Sequence, residues 1–155
     1  MTPSERLKEL GIVLPAIAKP IGSYIPAVVT GRYAYTSGQV CLAAGQLAFA
    51  GKVPHDVTLS DAAAAARISG LNAIAAIASV AGGIDNIARI VRVCVYVASS
   101  PGFTDQPKVA NGASDLFFQI FGESGRHARS AVGVSELPVN SPVEVEVMAE
   151  LHNNS

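Results

Sequence analysis

The run HARSAVGVSELPVNSPVEVEVMAEL, residues 127–151, sets Arg129 at the start of one apolar stretch and Glu144 near the start of the next. A guanidinium grips a carboxylate through two parallel hydrogen bonds. A nearby glutamate orients water or shuttles a proton. If the two stretches form a hairpin or neighbouring strands, both groups meet at one mouth of a sheet. On residue types alone, an Arg–Glu pair across strands is more often structural than chemical. Other chemistry is thinly represented. The sequence holds no P-loop, no GxGxxG opening a helix, no GxSxG and no HExxH. His55, His127 and His152, with Cys41 and Cys94, lack metal-ligand spacing, so no metal is expected. His55 reads as a loop histidine at the surface and His152 as a solvated one.

The elements that must position these groups follow from periodicity and punctuation. Residues 4–10 make a short amphipathic helix, and Pro15, Pro20 and Pro26 keep the chain extended from about Leu14 to Ala27. Arg32 to Val40 reads as a strand, and Gln46 to Ala50 as its hairpin partner across a turn at Gly45. Thr58 caps a long alanine-rich helix that Ala81-Gly82-Gly83 stops. Ile87 to Ala98 is the strongest strand, with Val91, Val93, Val95 and Val97 on one face and Arg92, Cys94 and Tyr96 on the other. Thr104 or Asp105 opens a second helix that ends at Gly122, burying Val109, Leu116, Phe117, Ile120 and Phe121. Strands from Arg129 to Glu136 and from Val143 to Leu151 close the chain. In the last, Val143, Val145, Val147, Ala149 and Leu151 face the core, and Glu144, Glu146, Met148 and Glu150 the other way. The order β-β-α-β-α-β-β predicts a single α+β domain over 1–155, a mixed sheet with two helices on one face. Residues 1–20 form an N-terminal extension on or near the core.

Composition bounds the functional classes. The chain has 155 residues, half of them apolar, and 15% are charged, against roughly 25% in ordinary soluble domains. The net charge is −1. Disorder is excluded, and a dedicated nucleic-acid binder, which needs a basic stripe, is disfavoured. Two uncharged runs, Tyr33 to Gly51 and Ile68 to Ile84, carry too many glycines and polar side chains for a membrane span. The N-terminus mixes Glu5, Arg6, Lys8 and Glu9 and lacks the apolar block of a secretory signal. Cys41 and Cys94 form at most one bridge and read as free buried thiols, so a cytoplasmic protein is expected. The sparse charge implies either an apolar outer surface or burial against other copies of the chain.

Five segments together resemble the reactive intermediate deaminase family, the YjgF-type proteins also labelled translation initiation inhibitor or L-PSP endoribonuclease. They are IGSYIPAV (21–28), YAYTSGQV (33–40), the Ala-Arg…Asn…Ile-Ala pattern through 67–81, NGASDLFFQIFG (111–122) and the 127–151 run. The resemblance implies a chorismate-mutase-like homotrimer with sites in clefts between subunits. It further implies that Arg129 binds the carboxylate of a 2-aminoacrylate-type enamine or its imine. Glu144 would handle water or a proton, and Tyr24 would line the cleft. Gly38, beside Ser37 in TSGQ, matches a place where backbone groups reach the ligand, and Asn111 matches a further cleft position. Such imine hydrolysis uses no metal and no organic cofactor. Three residues depart from the pattern: Ala131 stands where several relatives carry cysteine, Gly133 where some carry glutamate, and His127 where proline or alanine is usual. The leading expectation is a deaminase releasing a 2-keto acid and ammonia. A non-catalytic module binding a small carboxylate such as a keto acid is the alternative. An RNA-acting translation inhibitor is a third reading, which the charge disfavours.

Overall fold

A computed structural model gives the structure of the protein and describes residues 1–17 and 22–153. The part of the expected extended run that covers residues 18–21 lies outside the described residues. Helix α1 (Pro3–Leu10) starts in a capping box, in which the Thr2 side chain accepts from the Glu5 N–H and the Glu5 carboxylate accepts from the Thr2 N–H. It docks through buried Leu7, and Ser4 donates two hydrogen bonds to Asp85, at 2.8 and 2.6 Å.

The alanine-rich segment forms α2 (Leu59–Ala81), with the Thr58 side chain accepting from the Asp61 N–H and Gly82 closing it at φ 82°. By length and hydropathy α2 could cross a bilayer. Here it is the core helix, and Ala62, Ala65, Ala66, Ala73, Ile74 and Ile77 are fully buried. The alanines serve close packing. At the crossing with α3 (Gln106–Phe121), a Cβ on Gly112 would land on the Ala63 carbonyl oxygen, so the helices approach to backbone distance. α3 buries Val109, Leu116, Phe117 and Ile120. Phe121, expected in the core, is only half-buried at its C-terminal end.

Both helices cover one face of a mixed sheet ordered β1-β2-β8-β6-β7. Its strands are β1 (Ala27–Thr30), β2 (Tyr33–Thr36), β6 (Ile87–Ala98), β7 (Ala128–Val134) and β8 (Val143–Leu151), while β3 (Gln39–Val40) pairs with β8 beyond the end of β2. β4 (Leu42–Ala43) and β5 (Gln46–Leu47) form a separate two-stranded ribbon. β7 runs parallel to β6, joined to it through α3, whereas β8 is antiparallel to both β2 and β6. β8 alternates in burial from Val143 to Leu151 as its sequence predicts.

Three expectations are corrected. The hairpin expected across Gly45 forms only as the short ribbon of Leu42–Ala43 with Gln46–Leu47, and the partner of the strand that starts at Tyr33 is β1 instead. Ala27–Thr30, beyond the extended run expected to end near Ala27 and given no strand from the sequence, pairs with Tyr33–Thr36 around Gly31 at φ 58°, a turn position that favours glycine. The Arg32–Val40 strand is interrupted at Ser37 and Gly38, where three residues on that side oppose two of β8 between the pairs Tyr35↔Met148 and Gln39↔Val145. Val91 does not share the core face. Register shifts near its start move the buried set of β6 to Ile87, Ile90, Val93, Val95 and Val97.

Candidate functional site

Arg129 pairs in register with Val93, which is fully buried, so its side chain leaves β7 on the helix-covered face. There α3 receives it. One guanidinium nitrogen, Nη1, donates to Asn111 Oδ1 at 2.8 Å and to Ser114 Oγ at 3.1 Å. Asn111 and Ser114 are three apart on α3 and so share a helix face. The group lines a cleft of about 520 Å³ with Ser114, Asp115, Phe118, Arg126 and His127. Arg126 in that cleft is already engaged, paired with Glu123 at 3.1 Å and stacked 4.5 Å over the Phe118 ring.

Glu144 lies on the other side of the sheet. It pairs with Tyr96 on one flank and Val40 on the other, and its side chain points to the face that no helix covers. A Cβ on Gly38 would sit 2.6 Å from the Glu144 carboxyl carbon, so only a residue without a side chain leaves that carboxylate room against the interrupted strand. Burial, reinforced by the nearby Glu146 carboxylate, holds the Glu144 carboxyl above its ordinary pKa. Tyr96 donates from its hydroxyl to Glu146 Oε1 at 2.6 Å, and that bond followed by burial pushes the phenol upward. The Ser37 hydroxyl donates to the Ile25 carbonyl at 2.6 Å and the Ser37 N–H to the Pro26 carbonyl at 2.8 Å. These bonds fasten the strap carrying Tyr24 against the interruption at Ser37 and Gly38. Tyr24 itself is about half exposed, at 48%.

The six expected site residues therefore fall into two groups. Tyr24, Ser37, Gly38 and Glu144 gather about the β2–β3 interruption. Asn111 and Arg129 sit at the opposite edge of the sheet, beyond β8 and β6. The expectation that Arg129 and Glu144 meet at one mouth is corrected for a single chain, because β6 separates their strands and their side chains leave opposite faces. The hairpin reading failed because the loop from Pro138 to Pro142 does not join neighbours. It carries the chain across β6.

Two contributors escaped the sequence reading. Ser114 carries a signal only in its spacing from Asn111. His127, noted as a departure, hydrogen-bonds to Ser114 at 2.9 Å and to the Gly125 carbonyl at 2.7 Å. Arg89 of β6 donates to the Arg126 carbonyl, whereas Arg92 donates to Ser130 Oγ on the open face, opposite to the one that Arg129 leaves. Among the described residues no cluster of three metal-ligating side chains occurs.

Comparison with known proteins bears on this geometry. The chain is 42% identical over 148 residues to Protein TCP17 of Trypanosoma cruzi, covering 95% of this chain and 92% of that protein. It is similar to the crystal structure of a "putative endoribonuclease" from Shewanella oneidensis MR-1, at TM-score 0.94 and 37% identity over 97% of this chain and all of that one. It is similar to E. coli TdcF crystallised with bound serine, at TM-score 0.64 and 25% identity over 88% of this chain and 94% of that one. The family described as "YjgF/chorismate mutase-like, putative endoribonuclease" matches residues 4–151, and with that span and those relatives the chain belongs to this family.

Proposed function

We propose that the protein is a homotrimeric deaminase that hydrolyses reactive enamine and imine intermediates of the 2-aminoacrylate kind to a 2-keto acid and ammonia. The observation that carries this reading is the division of the site into two half-sites at opposite edges of one sheet. A head-to-tail ring of copies joins the edge of one chain to the open face of the next and closes on itself. Arg129 of one copy then faces Glu144, Gly38 and Tyr24 of its neighbour. The open face suits such burial: Val28, Tyr33, Tyr35 and Val132 are 48, 40, 38 and 45% exposed. The serine held by TdcF is a small amino-acid carboxylate, the ligand chemistry that a guanidinium clamp recognises.

In this reading the Arg129 guanidinium binds the substrate carboxylate and fixes the C2 carbon. The enamine gains a proton at C3 to become the imine. Water then adds to C2 while Glu144 accepts its proton, and the resulting carbinolamine loses ammonia to leave the keto acid. A carboxylate whose proton affinity is raised by burial is a better proton acceptor than an ordinary one and is suited to take and return that proton. The experiment supplies 2-aminoacrylate from a dehydratase in situ and follows keto-acid release. Release faster than the spontaneous rate, in proportion to enzyme, supports the reading; no acceleration at any enzyme concentration overturns it.

A second reading, an RNA-directed activity, finds no basic patch in Arg89, Arg92, Arg126 and Arg129, because Arg92 and Arg129 leave opposite faces of the sheet. Each is already engaged within the chain, with a carbonyl, Ser130, Glu123 or the α3 side chains respectively. RNA binding that survives about 200 mM salt would move the conclusion to this reading.

A further inference from the structure

The Arg129 clamp is itself held by a second tier of groups. The Ser114 hydroxyl lies 3.1 Å from Arg129 Nη1 and 2.9 Å from His127 Nε2, and His127 Nδ1 lies 2.7 Å from the Gly125 carbonyl oxygen. One assignment of protons satisfies every atom in this chain. A carbonyl only accepts, so Nδ1 carries the proton and donates to Gly125. Nε2 of the neutral ring then accepts from the Ser114 hydroxyl, which leaves the Ser114 oxygen lone pairs turned toward Arg129. A protonated ring would break this order, since Nε2–H and Nη1–H would both donate to one hydroxyl whose own proton had no acceptor.

The surroundings favour the neutral ring. The edge of His127 packs against Phe117, with ring centroids 5.7 Å apart at 73°. The charged groups lining the same cleft are Asp115 from α3, Arg126 from the turn before β7, and Arg129 from β7. Burial, with Arg129 adding to it, holds His127 below its ordinary pKa against the opposing pull of the Gly125 carbonyl. Burial and the hydrogen-bond pattern thus both favour the neutral ring.

We propose that Ser114 and His127 are positioning residues that fix the Arg129 guanidinium by a hydrogen-bond relay ending on the Gly125 carbonyl, so that the clamp meets a substrate carboxylate already oriented. The proposal rests on the reading of Arg129 as that clamp. It assigns a use to the histidine at 127, where the family resemblance leads one to expect proline or alanine. Neither of those side chains can accept the Ser114 proton.

The test joins a structural and a kinetic readout. The structural one is the NMR signature of the Arg129 Nη protons, assigned by their loss in Arg129→Lys. Wild type should show separate, slowly exchanging Nη signals. These should collapse in Ser114→Ala and in His127→Ala and return in His127→Gln, whose side-chain oxygen can accept from Ser114. Kinetically, both alanine variants should raise KM for 2-aminoacrylate about tenfold, the effect of losing one charged hydrogen bond. Their kcat should stay within about twofold, and His127→Gln should recover most of the loss. Nη signals equally restricted in wild type and both alanine variants overturn the proposal, as do freely rotating signals in wild type or an unchanged KM in both variants. Restricted wild-type signals that collapse in the variants, with no wild-type turnover, uphold the positioning role and refute the deaminase reading alone.

Discussion

Arg129 and Glu144 have different physical situations, and the predictions for each differ accordingly. Arg129 is half-buried in a cleft; of its α3 partners Asn111 is exposed to water and Ser114 keeps its bond to His127 if the guanidinium leaves. Arg129→Ala should lower kcat/KM by at least about 100-fold, the scale of losing a bidentate charged contact, while the Tm moves little; steady-state kinetics beside thermal unfolding check this. Glu144 carries a cost. Its pKa in the fold lies above the unfolded value, so the native state binds the extra proton in the window just above the ordinary carboxylate range. The associated stability is present below the unfolded pKa of 4.5 and is lost as pH rises through the raised value. Glu144→Gln should therefore melt higher than wild type at pH 7.5, and the advantage should vanish near pH 4. Activity that requires the ionised form should fall on the acid side at a higher pH than an ordinary carboxylate dictates. Because Glu146 contributes to the shift, Glu146→Gln should move that acid limb of kcat/KM to lower pH. The candidate residues came from the family resemblance, because residue types alone leave an Arg–Glu pair more often structural than chemical. Their division was not legible, since nothing in the 127–151 run announces that β6 inserts between its two strands.

At the scale of elements, two glycines mark where the backbone itself shapes the site. A Cβ at Gly38 meets the Glu144 carboxyl at 2.6 Å, so Gly38→Ala should displace the carboxylate and reduce turnover while far-ultraviolet circular dichroism stays unchanged. Gly112 sets the α2–α3 approach against a backbone oxygen that cannot swing aside. Gly112→Ala should cost about 3 kcal/mol by overpacking, measurable as a shifted urea midpoint at constant slope. The helices were readable because capping and periodicity are local. Thr58 and Gly82 mark the ends of α2, and Gly122 the end of α3. Strand details depended on partners. Val91 follows the alternation of its neighbours in sequence, yet the β6 register against β8 slips beside it. Ala27–Thr30 became a strand only because Tyr33–Thr36 folds back on it, and the interruption at Ser37-Gly38 is defined by its mismatch with β8.

For the whole molecule, the face that no helix covers mixes exposed apolar side chains with charged ones. One sheet face is covered by α2 and α3, and the other carries Tyr33, Tyr35 and Val132 in the open beside the Glu144–Glu146 pair. In the proposed reading, contact between two copies would cover those exposed side chains and bring Arg129 of one to Glu144 of the next. Mixing of two inactive chains tests that claim most directly. Arg129→Ala and Glu144→Gln chains with different tags are co-expressed, and assemblies bearing both tags are purified. In a ring of three with both chains present, one of the three junctions pairs an intact Arg129 with an intact Glu144 from its neighbour. The predicted result is turnover of 2-aminoacrylate at about one third of the wild-type rate per assembly. Mixed assemblies no more active than either variant alone would contradict a site shared between chains.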